Sequence, residues 1–174
     1  MAVFNVPRAG RQNENYTENL IENMFYDERC EFKQGFGVCD SSPEMMVHSF
    51  EAIRQTYCKI NMLKTHYFEL FIEYEIGLCA VKMIAEMIGR GLYNSGFQSF
   101  VTAIDTGDRY LISVALNAVS FKDGELFHDN NACYLEIYQF LCNLLPGGIC
   151  IGVTENTFFN PGKREGNYCH GEYM

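Results

Sequence analysis

Between Thr102 and Phe121 the chain reads TAIDTGDRYLISVALNAVSF, and KDGELFH follows at once. The stretch has the outline of a strand built to carry an active-site metal. It contains no histidine. First-row divalent ions are held by imidazole, thiolate or carboxylate groups, and Leu, Ile and Arg cannot ligate them. Asp105 is a single carboxylate flanked by Ala103 and Leu111, which offers too few ligands. The chemistry such a strand would do is therefore expected to be missing, with no cofactor and no metal.

The four histidines lie elsewhere. His48 falls between apolar positions of a helical segment and reads as a packed or surface residue. His66 sits on a strand, and His128 follows the KDG turn. Cys169-His170 lies in a Gly-rich tail, where neighbouring residues point apart and cannot form a nucleophile–base pair. The eight cysteines stand at 30, 39, 58, 79, 133, 142, 150 and 169. None forms the close pair a zinc knuckle needs. Most, Cys79 among them, are expected on apolar faces as reduced thiols.

Charge narrows the function classes. Thirteen Lys and Arg against 22 Asp and Glu give a formal net charge of −9. A phosphate-gripping protein should show a basic face, yet the only adjacent basic pair is Lys163-Arg164. The balance disfavours strong DNA or RNA binding and favours a protein partner. Acidic residues gather at Glu69, Glu73 and Glu75, and again over Glu14, Glu18, Glu22, Asp27, Glu28 and Glu31. The first cluster is the candidate partner-binding surface. No apolar run is long enough to span a bilayer, and MAVFNVPRAGRQ has no leader-peptide pattern, so a cytoplasmic, membrane-free protein is expected.

The elements that must position these residues follow from local pattern. AVFNV is a short strand. NYTENLIENMF is a helix capped by Asn13 or Asn15, with Tyr16, Leu20 and Asn23 in register. FKQGFGVC is a strand. SSPEMMVHSFEAIRQTYCKI starts a helix at Ser41 or Ser42, with Pro43 at its first position and Met46, Phe50, Ile53 and Tyr57 as its apolar stripe. KTHYFELFIEYE is a strand, and EIGLCAVKMIAEMIGRG a helix closed by Gly89 and Gly91. FQSFVTAI and RYLISVALNAVSF form a hairpin about DTGD. After the KDG turn, NNACYLEIYQFLCNLL is a helix and ICIGVTE a last strand. The expectation is one α+β domain over 1–160 with a Gly-rich tail over 161–174, its helices on one face of a mainly antiparallel sheet.

This order of pieces resembles the N-terminal domain of mobilisation relaxases of the MobA/VirD2 type. Thr102, Asp105, Asn117, Val119, Phe121, Asp123 and Gly124 fit that family's metal motif and the turn after it. LIENMFYDERC, GFGVC with the Ser-Pro-Glu helix start after it, EIGLCAVKMIAEMI and GNYCHGEYM resemble further family segments in the same order. The resemblance implies a metal-dependent DNA-nicking enzyme with a tyrosine nucleophile, but the departures fall on the chemistry. The histidine positions fall on Arg109, Leu111 and Ser113, or one frame over on Asp108, Tyr110 and Ile112, and the first motif histidine falls on Ala103. Leu20 stands at the nucleophile's place. What the resemblance then implies is a pseudoenzyme from a mobile element, acting by binding. Its leading form is an inhibitor of a host nucleic-acid-handling machine, in the manner of anti-CRISPR proteins. A second form is an accessory mobilisation protein that binds DNA or a relaxosome component, with Arg109, Lys122, Lys163 and Arg164 as contacts. A third is a nuclease rebuilt from Tyr16 or Tyr26 with Asp105 and His128.

Overall fold

The structure, a computed structural model, describes residues 2–7, 15–60, 65–128, 130–145 and 149–151. Its elements are β1 (Ala2–Asn5), α1 (Tyr16–Phe25), β2 (Cys30–Phe36), α2 (Pro43–Thr56), β3 (Thr65–Glu73), a 3₁₀ turn (Tyr74–Ile76), α3 (Leu78–Asn94), β4 (Phe97–Asp105), β5 (Arg109–Ser120), α4 (Asn131–Leu144) and β6 (Ile149–Ile151). The strands form one sheet in the order β2-β4-β5-β3-β1-β6. Every pairing is antiparallel except β1 with β6. The chain is an α+β domain.

The helices cover both faces of the sheet, not the single face expected from the sequence. Phe68, Leu70, Ile72, Val101, Ala103, Ile112 and Val114 point to one side, where Val81, Ile84 and Ile88 of α3 and Tyr134 and Leu141 of α4 meet them. Phe100 and Ala115 point to the other, under Ile21 and Met24 of α1 and Met46 and Phe50 of α2. The physical reason lies in β5. LISVALNAVS is apolar at nearly every position, the pattern of a strand buried on both sides.

Local chemistry sets the helix ends. Ser42 caps α2 by accepting from the Met45 N–H, with Pro43 at the first helical position. Helix α3 begins at Leu78, three residues later than expected, because Gly77 takes φ 79° before it. Gly89 and Gly91 do not close it. Both are interior, and α3 runs on to Asn94. A Cβ at Gly89 would stand 2.0 Å from the Phe36 ring, so this glycine lets α3 settle onto β2. Helix α1 buries Thr17, Ile21 and Met24 instead of Tyr16, Leu20 and Asn23. Its stripe is rotated by one residue because Thr17 is buried with its hydroxyl bonded to that of Thr65, 2.7 Å away.

The edge strand β2 is guarded: its register slips between Cys30 and Phe32, and the Gly35 N–H is taken by the Asp40 carboxylate. Among the described residues no helix is long and apolar enough to cross a membrane. Six described cysteines are free thiols, and Cys39, Cys58 and Cys79 are exposed, so Cys79 does not lie on a buried face. The Gly-rich tail, Asn13, Glu14, Lys163, Arg164, Cys169, His170 and the strand beyond Ile151 lie outside the described residues.

Candidate functional site

Alternation along β5 decides which residues share a surface. Tyr110, Ile112 and Val114 enter the α3/α4 core, so Arg109, Leu111, Ser113, Ala115 and Asn117 face the α1/α2 side. Leu20 packs against the cluster on that same side. The structure thus puts Leu20, Arg109, Leu111, Ser113 and Asn117 on one face, but Arg109 and Asn117 stand at opposite ends of it, about eight strand residues or roughly 27 Å apart. It leaves out Ala103, which is buried on the opposite face, and puts Thr102 on the shared face in its stead. The alternative set, Asp108, Tyr110 and Ile112, does not share this face.

Strand register lays a polar row across the shared face. Lys33 on β2 stands beside Thr102 on β4, then Ser113 on β5, Glu69 on β3 and Asn5 on β1. Its centre is closed by hydrogen bonds. Asn5 Nδ2 donates to Glu69 Oε2 at 2.9 Å, and the Tyr67 hydroxyl donates to Glu69 Oε1 at 2.8 Å. Ser113 Oγ lies 3.1 Å from the Tyr67 oxygen. With the tyrosine proton committed to the carboxylate, Ser113 is the donor in that contact. Burial, and then the Glu69 charge, push the Tyr67 pKa up. Tyr67 therefore stays a neutral donor and is no base for Ser113. Lys33 Nζ sits 4.0 Å over the Phe25 ring and donates to the Phe25 carbonyl.

Asn117 is fully buried and tied down. Its Nδ2 donates to the Phe50 carbonyl at 3.1 Å and to Gln98 Oε1 at 2.9 Å, while Gln98 Nε2 donates to the Gly37 carbonyl at 2.7 Å. The group binds α2, β4, β5 and the loop after β2 together.

Asp105 closes β4 at one end of the sheet. One carboxylate oxygen accepts from the Gly107 N–H at 2.8 Å and the other from the Tyr74 hydroxyl, whose ring stacks on Tyr110 with centroids 4.6 Å apart. The bond to Asp105 holds the Tyr74 pKa up at about 12. In the same turn Arg109 grips Asp108, whose carboxyl is held down at about 2 chiefly by that bond. His128 is exposed beyond the other end of β5, since the Phe127 N–H bonds the Ala118 carbonyl. Asp105 pairs with Tyr110, so about eight residues of strand, or roughly 27 Å, separate the two. They cannot share a metal ion. His66 is buried with Nε2 3.1 Å from the Phe127 carbonyl, and His48 is exposed beside Glu51. No group of three potential metal ligands occurs among the described residues.

The acidic trio divides. Glu69 is half-buried inside the network, Glu73 is exposed at the end of β3 opposite Arg109, and Glu75 is exposed on the 3₁₀ turn rather than on the strand. Lys122 donates to the Asn94 carbonyl. Tyr67 and Asn5 were missed by sequence reasoning. The signal was the register of β1 on β3, which no local pattern discloses. No protein-family model matches the chain, and no curated protein and no solved structure matches it.

Proposed function

We propose that this chain is a non-catalytic, relaxase-like protein of a bacterial mobile element, acting in the cytoplasm as an inhibitor that occupies a basic surface on a nucleic-acid-handling protein. The observation that carries the reading is the commitment of polar groups on the β5 face. Ser113, Tyr67, Glu69 and Asn5 bond one another, and both Asp105 oxygens are taken by Tyr74 and Gly107. A nucleophile needs a base within reach and a metal needs several open ligands, and this face spends its candidates on holding the sheet together. The net charge of −9, with Glu73 and Glu75 exposed at one end of the sheet, favours a cationic protein surface over a phosphate backbone.

The test is an affinity capture from bacterial lysate with and without nuclease, followed by competition. The captured protein should be basic and retained in both arms, and this chain should displace that protein's own DNA or RNA. Electrostatic steering makes the association rate fall with salt. Sequence-selective retention of an origin-like oligonucleotide by the isolated chain at physiological salt would replace the reading with a mobilisation accessory. A covalent protein–DNA adduct lost on Tyr16→Phe or Tyr26→Phe would replace it with a nuclease.

A further inference from the structure

Helix α3 sends Val81, Ile84, Ala85, Ile88 and Gly89 into the core. Its outward side is apolar as well. Cys79, Met83 and Met87 follow one another at four-residue intervals and form one ridge. Met83 is 64% exposed and Met87 45%, and the Cys79 thiol is exposed too. A surface helix is ordinarily polar on the side away from its core, and contiguous exposed apolar groups mark a contact face.

Charge decides what the ridge meets. The chain carries a formal −9, so two copies repel one another unless they touch where charge is balanced. Lys82 and Glu86 lie one turn apart on the β2 side of the ridge, and Arg90 lies one turn further on. Glu86 pairs with Arg90 at 2.6 Å, and Glu31 of β2 stands 3.4 Å from Lys82, so the patch is neutral. A basic protein has no electrostatic reason to seat here, but a second copy has one. A two-fold axis at the level of Ala85, midway between Met83 and Met87, runs two α3 helices antiparallel and lays Met83 of each against Met87 of the other. It also brings the same flank of both helices together. At about 1.5 Å per residue, Lys82 of each copy then stands within about 3 Å, measured along the helix, of the other copy's Glu86. Opposite charges therefore meet on both sides of the axis.

We propose that the chain pairs with a second copy of itself in a symmetric antiparallel dimer, through the outward face of α3. Methionine suits the seam, because its unbranched side chain adapts to whatever it packs against. One helix from each copy makes an interface at the low end of the size range, below about 1,200 Å². The dimer is therefore weak and concentration-dependent. It does not rest on the inhibitor reading.

The experiment is sedimentation equilibrium of the whole chain over about a hundredfold range of micromolar concentrations. The wild type should pass from monomer to dimer. Met83→Glu, at an exposed position that leaves the core untouched, should stay monomeric with its unfolding midpoint unchanged. Lys82→Glu and Glu86→Lys should each weaken association by roughly tenfold, since like charges then face one another across the axis. An equimolar mixture of these two variants should associate more tightly than either alone, because one copy then presents two negative charges and the other two positive. A wild type that is monomeric throughout overturns the proposal, and if Met83→Glu then abolishes capture of a lysate protein, the face belongs to that protein. A dimer that Met83→Glu leaves intact, or a mixture no tighter than its components, overturns it equally.

Discussion

Replacing Gly89 with alanine should destabilise the protein, although the same change in an open helix would do the reverse. Alanine is favoured over glycine in a helix interior by about 1 kcal/mol. At Gly89 the added methyl would lie 2.0, 2.2 and 2.5 Å from three atoms of the Phe36 ring, against about 3.5–4.0 Å for an ordinary carbon contact. The ring is 7% exposed and belongs to the α3-side core, so it has no free space to swing into. Relief requires α3 to lift from β2 or Phe36 to leave its place. Overpacking of this kind costs about 1–3 kcal/mol. The overlap places Gly89→Ala at the upper end, for a net loss of about 1–2 kcal/mol after the helix gain. For a chain of this length that lowers Tm by about 2–8 °C. Thermal unfolding followed by circular dichroism measures it, with Gly91→Ala as the graded comparison. There the methyl meets Phe140 at 2.7 Å, on a half-buried ring that can yield, and the change should be nearly neutral. Phe36→Leu in the Gly89→Ala background should recover part of the loss as a coupling energy. A Tm for Gly89→Ala equal to or above wild type would refute the claim that this contact sets the α3–β2 distance.

Cys58 ends α2 in the left-handed region at φ 56°, which costs a non-glycine residue about 1–2 kcal/mol. Cys58→Gly should raise Tm by a few degrees even after glycine's larger unfolded-state entropy, and Cys58→Ala should not; a lower Tm for the glycine variant would count against it. Tyr67→Phe removes the donor to Glu69 and should cost about 1–3 kcal/mol at neutral pH. The folded state raises the Tyr67 pKa above the ordinary phenol value of 10.0, so its contribution is complete below pH 10 and is lost as pH climbs beyond that. Urea unfolding at about pH 8 and about pH 11 should show the wild-type advantage over Tyr67→Phe shrinking, and a constant gap would contradict the linkage. Against the captured partner, Glu73→Lys and Glu75→Lys should slow association and flatten its salt dependence, whereas Glu69→Gln should act on Tm. Titration with Mn²⁺ should give no one-to-one site that Asp105→Ala removes.

Where local chemistry decides, the pattern of residues is readable. Ser42 and Pro43 start a helix wherever the fold puts them, and DTGD closes the β4–β5 hairpin by its own hydrogen bonds. Where a distant partner decides, local pattern fails. Gly89 reads as a helix terminator until the Phe36 ring is seen against it. Thr17 looks like a surface residue until Thr65 satisfies its hydroxyl, which is why periodicity alone places the α1 stripe one residue away. Glu69 is indistinguishable from Glu73 by sequence, and only β1 supplies the Asn5 that turns it inward. The second helical layer had a visible signature in the apolar residues that occupy both alternating faces of β5, Leu111 and Ala115 on one and Ile112 and Val114 on the other. A strictly alternating strand would have meant one open face.

The ties around Asn117 also determine how the molecule comes apart. Peeling α2 from the sheet would strand a buried amide, because the Phe50 carbonyl, Gln98 and the Gly37 carbonyl are held through one another. Helix α2, the loop after β2 and the β4–β5 pair should therefore open together, near the free energy of global unfolding. Helix α1 meets this face through Leu20, Ile21, Met24 and Phe25, the Thr17–Thr65 hydroxyl pair and an exposed bond from Lys33 to the Phe25 carbonyl. Among the described residues it has no buried amide network like that of Asn117. In hydrogen exchange its amides should form the faster group, so the two helices on one face of one sheet would report two different stabilities.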